Sequence, residues 1–387
     1  MEYRKFGKLD WEVSALGFGA MRLPPGGENA APMGPDVDEA LAVSMIRQAI
    51  DKGVNYVDTA YPYHAGKSEE IVGKALKDGF RQKVRLATKM PSWFMNRYDD
   101  FDKYLAEQMK KLQTDHIDFY LLHSMNKDLW PKLRDLDVLK WAEGAIADGR
   151  IGHIGFSFHD SLELFKEIVD AYDKWTFCQI QYNYMDIEYQ AGTEGLRYAA
   201  QKGLAVVIME PLRGGQLSKE QPPVVKKFFE SMPVKRTPAD LALQWIWSQP
   251  EVSVVLSGMS EMKHVLENVA SAEKSGIGML RDEEIAIVDR IREKYRELSP
   301  IPCTNCNYCM PCPNGVDIPY AFAQYNDAVI YDDARTARFR YRQNPKEKWG
   351  DKCEECGECE EKCPQGIEIS QWLKKAHELL GPKKKAS

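Results

Sequence analysis

No stretch of this 387-residue chain approaches the roughly 20 consecutive apolar residues that a bilayer span requires. The N-terminus, Met1-Glu2-Tyr3-Arg4-Lys5, lacks the apolar core of an export signal, so neither membrane contact nor export is expected. Basic residues are not in excess. Lys and Arg total 52 against 58 Asp and Glu, and the net charge of −6 argues against a nucleic-acid partner. A complete Gly-x-Gly-x-x-Gly is also missing. Gly17-Phe18-Gly19-Ala20-Met21-Arg22 has the first two glycines only, which rejects a doubly wound dinucleotide-binding sheet. The sequence shows no flavin motif either.

What the chain does have is cysteine in two ordered runs. In Cys353-x-x-Cys356-x-x-Cys359-x-x-x-Cys363-Pro364, three thiolates can wrap three corners of an iron–sulfur cube, and a fourth, closed by Pro, turns away. Cys303-x-x-Cys306-x-x-Cys309-x-x-Cys312-Pro313 repeats the pattern with its last gap one residue shorter. Together the runs use eight of the nine Cys. Zinc prefers two Cys pairs per tetrahedral site, and a disulfide scaffold suits a short exported chain, so two [4Fe–4S] clusters are expected. In bacterial ferredoxins the fourth Cys ligates the other cluster. If ligation crosses over here, Cys303, Cys306, Cys309 and Cys363 hold one cluster, and Cys353, Cys356, Cys359 and Cys312 the other. The spacer of about 40 residues reads helical at Ala321–Ala328 and Ala334–Arg342. From Pro300 to Leu380 the chain therefore resembles the α-helical ferredoxin module of respiratory iron–sulfur subunits. Eight cluster thiolates need a reducing compartment, which points to the cytoplasm. Cys178, alone on an apolar strand, reads as a small buried hydrophobe.

Tyr3–Phe6 and Val13–Gly19 read as short strands around a turn at 7–10, and 23–36 is an aperiodic Pro/Gly-rich loop. A regular alternation follows. Helix Ala40–Asp51 precedes strand Val54–Asp58. A helix N-capped by Ser68 runs to Asp78, then strand Val84–Lys89, helix Phe101–Leu112 and strand Ile117–His123. Helix Val138–Ala147, strand Ile151–Ser157, helix Leu162–Ala171 and strand Phe177–Tyr182 continue it. Helix Gly192–Lys202, strand Leu204–Met209, helix Pro238–Trp247, strand Ser253–Leu256 and helix Met262–Ala272 complete it. About eight βα units in about 250 residues predict an α/β chain folded as a (β/α)8 TIM barrel. Helix Asp282–Leu298 leads to the cluster module, which gives domains 1–298 and 299–387.

In such a barrel the chemistry collects at the C-terminal strand ends. Asp58, Lys89 and His123 end three successive strands, and Tyr63 follows the first of them. An ammonium beside a phenol favours the phenolate and lowers the Tyr pKa, and an Asp anchors the Lys. The His can hydrogen-bond a carbonyl oxygen, so the set can protonate that oxygen while a hydride reaches its carbon. Taken singly, a strand-end Asp is more often a cap, and Tyr63 suits loop packing. Asp58-Thr59-Ala60-Tyr61-Pro62-Tyr63, Lys67-Ser68-Glu69-Glu70, Ala87-Thr88-Lys89 and Leu121-Leu122-His123, in that order and spacing, resemble the aldo-keto reductases. The resemblance runs from about Met1 to Glu293 and implies a barrel that binds NADP or NAD without a Rossmann fold. It implies Tyr63 as proton donor, Lys89 and Asp58 as its tuning pair, His123 as carbonyl orienter, and a small carbonyl or alcohol as substrate. Barrel and ferredoxin module together resemble a recurring bacterial and archaeal subgroup of that family.

The same resemblance implies cofactor contacts. Gly19, Ala20 and Met21 follow the first barrel strand, Ser157 and Gln179 face the carboxamide, and Met209 stands where the family often stacks a Tyr or Trp. Pro211, Leu212 and Gly214 run along the pyrophosphate. Gly258, Ser260, Glu267 and Asn268 match the adenosine end. His264 stands where the family carries an Arg for the 2′-phosphate, with Lys263 beside it, so the choice of NADP or NAD stays open. Phe158 and His159 follow Ser157 where the family has Asn. Trp93 and Phe94 suit a wall of the substrate pocket or core packing equally.

Arg335, Arg338, Arg340, Arg342, Lys346 and Lys348 form a basic stretch between the Cys runs. It reads as a solvated helix face or as a dock for a small acidic electron carrier, a ferredoxin or flavodoxin. Lys383–Lys385 reads as a solvated tail. The expected protein is an oxidoreductase that moves a hydride between NAD(P)H and a carbonyl or alcohol. A hydride carries two electrons and clusters pass one at a time. That leaves the clusters as structural elements, as donors to a partner protein, or as servants of a different reduction. Two other classes compete. One is an electron-transfer module with the barrel as scaffold, against which the intact tetrad argues. The other is a regulatory protein sensing nicotinamide redox state, against which the cluster tail argues.

Overall fold

The structure, a computed structural model, describes residues 1–27, 30, 33–303, 308–363 and 365–382; Cys306, Pro364 and Lys383–Lys385 lie outside the described residues. They form two compact units: Met1–Gly215 with Ala239–Arg281, and Gln216–Pro238 with Asp282–Ser387. The second unit thus includes 216–238 and 282–298, which the sequence division at 299 placed with the barrel.

The first unit opens with an antiparallel hairpin, β1 (Tyr3–Lys5) and β2 (Glu12–Ser14). Eight parallel strands follow: β3 (Leu16–Gly19), β4 (Tyr56–Asp58), β5 (Arg85–Met90), β6 (Ile117–Met125), β7 (Ile151–Phe158), β8 (Phe177–Gln181), β9 (Ala205–Met209) and β10 (Val252–Ser257). They close into a barrel in the order β10-β3-β4-β5-β6-β7-β8-β9, as the alternation predicts. Val13–Gly19, expected as one strand, is two. The Ala15 N–H returns to the Glu2 carbonyl at 2.9 Å, so the chain finishes the hairpin before it enters the barrel.

Parallel strands covered by helices must bury both faces, and these do. Tyr56, Ala87, Phe119, Leu121, Phe177, Ala205, Val207, Val254 and Leu256 form one apolar cluster with Phe6 and Val13 of the hairpin. The Phe6 ring lies 4.6 Å from that of Phe119. The hairpin region therefore plugs one end of the barrel with carbon.

Boundaries of the expected helices agree with the periodicity to within a few residues; four described α-helices were unforeseen, Leu129–Asp135, Pro223–Ser231, the single turn Glu358–Glu361 and Ile369–Leu380. Ser68 is not an N-cap. It lies inside helix Lys67–Ala75, whose cap position is Gly66, and its hydroxyl reaches across to the Ala20 carbonyl at 2.9 Å.

The second unit is helical. Asp317 caps helix Ile318–Ile330 by accepting from the Tyr320 N–H at 3.3 Å, and Asp333 caps Ala334–Gln343 by accepting from Thr336 at 3.1 Å. These two and helix Ile369–Leu380 pack around Val316, Ile318, Phe322, Tyr341, Trp349, Leu373 and Leu380. Three of the six basic residues in the stretch are engaged in this packing. Arg338 donates to the Leu379 carbonyl at 2.7 Å, and Arg342 to those of Leu380 and Gly381 at 3.1 and 2.6 Å. Arg340 lies 3.5 Å from the buried Asp327 carboxylate. Neither a solvated face nor a dock describes these three arginines: two of them satisfy the open carbonyls at the end of the last helix.

Candidate functional site

Asp58 ends β4, Lys89 lies near the end of β5, and Tyr63 follows in the loop after β4. Register brings them level, with Gly19 opposite Asp58, Asp58 opposite Ala87, and Lys89 opposite Leu121. The Lys89 ammonium donates to Asp58 Oδ1 at 2.6 Å and to the Thr59 carbonyl at 2.9 Å, with both side chains buried. Its Nζ stands 4.9 Å from the centre of the Tyr63 ring. That ring meets His123 edge-on at 6.0 Å, and Trp93 closes on His123 at 5.2 Å. The four predicted residues come together, and Trp93 walls the site. Phe94 is exposed against Tyr61 and Tyr104.

His123 does not end its strand. β6 continues to Met125 across a register shift, with Ser124 at φ +59°, and its N–H donates to Ser157 Oγ at 2.8 Å. The His123 N–H is held by Ser92 Oγ at 2.9 Å, and Nδ1 has no hydrogen-bond partner among the described residues.

The turn after Tyr63 is strained. His64, Ala65 and Gly66 all have positive φ, 53°, 55° and 93°, a conformation that persists only where surrounding contacts hold it. One such contact is His64 itself, which sequence analysis missed. Its Nε2 accepts from the Leu23 N–H at 3.1 Å while Nδ1 donates to the Gly34 carbonyl at 2.8 Å, so a neutral imidazole staples the loop after β3.

The electrostatics follow from burial. Burial pushes the Tyr63 phenol up, and the pull of Lys89 offsets this only in part. The lowered Tyr pKa expected from Lys89 alone is therefore not the net result. The phenol stays protonated at neutral pH, the form a proton donor requires. Burial also raises the Asp58 carboxyl against the attraction of Lys89. Burial alone would lower Lys89, but Asp58 and Tyr63 hold it above its ordinary value. Burial first, then Lys89 and His159, hold His123 well below the ordinary imidazole range.

The residues proposed for the cofactor occupy the same ends of the strands. Gly19 ends β3, and the Ala20 N–H donates to the Asp58 carbonyl at 2.8 Å, with Met21 next. Ser157 lies on β7, Gln179 on β8 and Met209 at the end of β9. Gln179 Oε1 is buried and has no hydrogen-bond partner among the described residues. Phe158 is buried against Phe165 at 5.1 Å, so it replaces the family's Asn with core. Pro211, Leu212 and Gly214 lie in a loop where Glu210, Arg213, Gly214 and Gly215 have positive φ. Two ion pairs unforeseen in the sequence frame that loop, Arg22–Glu210 at 2.9 Å and Arg213–Asp186 at 3.3 Å. A Cβ on Gly258 would stand 3.1 Å from Arg22 Cβ. Ser260 and His264 are partly buried, Lys263 is 3.7 Å from Glu267 on an exposed helix face, and Asn268 donates to Ser257 Oγ at 3.0 Å.

In the second unit Cys303, Cys309, Cys312, Cys353 and Cys363 pack against the core, Cys359 is buried in it, and Cys356 is exposed. The Cys353 thiol senses Cys312 and Cys356, and the Cys359 thiol senses Cys353 and Cys312. The last Cys of the first run is thus within electrostatic reach of the second run. Burial and then Cys353 push the Cys359 thiol up to about 11. A metal bound to such thiols would displace their protons into solvent and hold them as thiolates, and an all-sulfur donor set suits an iron–sulfur cluster. Among the described residues, which omit Cys306, no three candidate ligands converge on a single metal position. Cys178 is buried, and burial raises its thiol far above the ordinary range.

A closed eight-stranded parallel barrel with polar residues gathered at its strand ends defines a (β/α)8 protein, a fold whose chemistry collects at those ends. Residues 15–293 match the aldo/keto reductase family, and the chain belongs to it. Residues 302–368 match the 4Fe-4S dicluster domain. The chain is 26% identical over 319 residues to the uncharacterized oxidoreductase YrpG of Bacillus subtilis, covering 71% of this chain and 92% of that protein. It is 29% identical to L-galactose dehydrogenase of Arabidopsis thaliana, covering 77% and 97%. Among solved structures, aldo-keto reductase AKR11C1 of Bacillus halodurans in its holo form superposes with a TM-score of 0.62 at 28% identity, covering 75% and 96%. No described helix is long and apolar enough to cross a membrane.

Proposed function

We propose that this oxidoreductase transfers a hydride between NADPH or NADH and a small carbonyl or alcohol, and that its second unit holds two [4Fe–4S] clusters. The observation that carries the first reading is the buried Lys89–Asp58 pair at 2.6 Å, set beside the Tyr63 ring, which His123 meets edge-on at 6.0 Å. A carbonyl oxygen placed between the Tyr63 hydroxyl and a neutral His123 receives a hydrogen bond from the imidazole and the proton from the phenol. Lys89 stabilises the phenolate left behind, and Asp58 fixes Lys89. The nicotinamide, when bound, supplies the hydride to carbon. The unpaired carbonyl of Gln179 suits the N–H of a carboxamide, and the Ser157 hydroxyl, which already accepts from Ser124, is left to donate. Met209 packs on the ring face.

The cluster ligands are the two crossed sets, Cys303, Cys306, Cys309 and Cys363, and Cys353, Cys356, Cys359 and Cys312. The electrostatic reach of Cys312 toward Cys353 and Cys359 supports the second set. Of the basic stretch, Arg335, Lys346 and Lys348 present exposed charge to a small acidic electron carrier.

An anaerobic screen of aldehydes and ketones, following NADPH and NADH absorbance, tests the activity. Tyr63→Phe is expected to lower the rate roughly 10²–10⁴-fold while nucleotide binding survives. Unchanged turnover would end this reading. A scaffold or a sensor binds nucleotide without turnover, so the same assay separates those classes.

A further inference from the structure

We propose that Glu69 is a positioning residue that fixes where Lys89 stands relative to Tyr63, an inference that rests on the tetrad reading above. Glu69 lies on helix Lys67–Ala75, which begins directly after the strained turn Tyr63–Gly66. Its carboxyl is fully buried, yet the helix faces a barrel where an apolar side chain would pack without the cost of desolvating an acid. One oxygen is fully used. Glu69 Oε1 accepts from Thr88 Oγ1 at 2.7 Å and from Gln108 Nε2 at 2.6 Å. Gln108 Nε2 in turn donates to the Lys89 carbonyl at 3.0 Å, and its Oε1 accepts from the Tyr120 hydroxyl at 2.7 Å. Gln108 is buried too. The carboxyl thus ties the segment that carries Tyr63 to the residue before Lys89, and through one amide to the backbone of Lys89 itself.

The role is one of geometry. The charges that act most strongly on Tyr63 are Lys89, Asp58 and Arg22, and on Lys89 they are Asp58 and Tyr63. The second Glu69 oxygen is buried without a hydrogen-bond partner among the described residues, 3.9 Å from Lys111, which pairs with Glu107 at 3.1 Å. A glutamine at 69 keeps a carbonyl able to accept both bonds. An alanine keeps neither, and β5 loses this side-chain tie to the Tyr63 segment, keeping its backbone pairing with β4. Small displacements of this kind are costly, since about 1 Å of misplacement can lower a rate on the order of 10²-fold.

The experiment measures kcat and KM for NADPH-dependent reduction of 4-nitrobenzaldehyde across the neutral and alkaline range. Nucleotide affinity is followed by tryptophan fluorescence. The variants are Tyr63→Phe, Glu69→Ala, Glu69→Gln and Thr88→Val. Glu69→Ala is expected to lower kcat roughly 10–100-fold with nucleotide affinity retained. It is also expected to move the alkaline limb of kcat to higher pH, because a displaced Lys89 no longer pulls the Tyr63 phenol down, while Asp58, Arg22 and His123 stay in place. Glu69→Gln restores both rate and limb. Thr88→Val removes one of the donors, shifts rate and limb the same way, and carries the test should Glu69→Ala not fold. An unchanged rate and limb in Glu69→Ala or Thr88→Val, with Tyr63→Phe inactive, overturns this inference alone. A loss in Glu69→Gln as large as in Glu69→Ala also overturns it, since the ionised acid would then be the agent. Full activity in Tyr63→Phe overturns the tetrad and this inference together.

Discussion

Lys89 is a buried ammonium with a carboxylate at 2.6 Å, so removing it strands the Asp58 charge. Lys89→Met is expected to cost about 3–5 kcal/mol of stability, measured by denaturant unfolding. In any folded fraction, Tyr63 loses the one strong pull that opposes burial, so the alkaline limb of kcat moves up as the rate falls. His123 gives a prediction of opposite sign. Its folded pKa lies well below the ordinary 6.5, so the unfolded chain takes up a proton below pH 6.5 that the folded chain refuses. Its contribution to stability is therefore whole above that pH and lost as pH falls below it, and His123→Asn should flatten the acid side of the unfolding profile. The imidazole itself stays neutral through that range. The four candidate residues were legible through the order and spacing of the short motifs that carry them, since each alone suits a cap or loop packing. Glu69 and His64 were not, since Thr88 and Gln108 lie 19 and 39 residues from the one, and Gly34 and Leu23 lie 30 and 41 from the other. No periodicity links such positions.

Most elements were legible where period and length were both clear, although Ile369–Leu380, 12 residues behind the second Cys run, was not read as a helix. Helix Leu129–Asp135 has only 7 residues, too few to display a stripe, and Pro223–Ser231 begins on the second of two adjacent prolines. Val13–Gly19 reads as one strand because apolar residues continue across Ala15, where only hydrogen bonding shows the change of sheet. The arginine-rich helix advertises charge, while its partners are backbone carbonyls that no sequence displays. Its first residue rests on Asp333, which caps the helix and pairs with Lys219. Burial would raise Asp333, but the bonds from Lys219 and Thr336 outweigh it and hold the carboxyl at about 2. That stabilisation is present above the ordinary 3.8 and is lost as pH falls toward about 2. Asp333→Ala is expected to cost about 1–2 kcal/mol near neutral pH. Its unfolding midpoint should converge with that of the unaltered chain as both are acidified through that window.

On the scale of the whole molecule, the two Cys runs were legible because ligand spacing is a local property, but which thiols share a centre is not. With crossed ligation the chain holds about eight iron. Cys312→Ser is then expected to damage the centre built on Cys353, Cys356 and Cys359, leaving that of Cys303, Cys306, Cys309 and Cys363. Iron and sulfide content with electron paramagnetic resonance would read this, and loss of the other centre would make ligation local.

The second unit is assembled from two pieces of chain far apart in sequence, 216–238 and 282 onward. A ribosome adds about 5–20 residues per second, so Lys219 emerges several seconds before Asp333 exists to meet it, and Gln221 before its partner Tyr295. During that interval β9 and β10 must pair across an intervening stretch of chain, 216–238, that belongs to a unit still unmade.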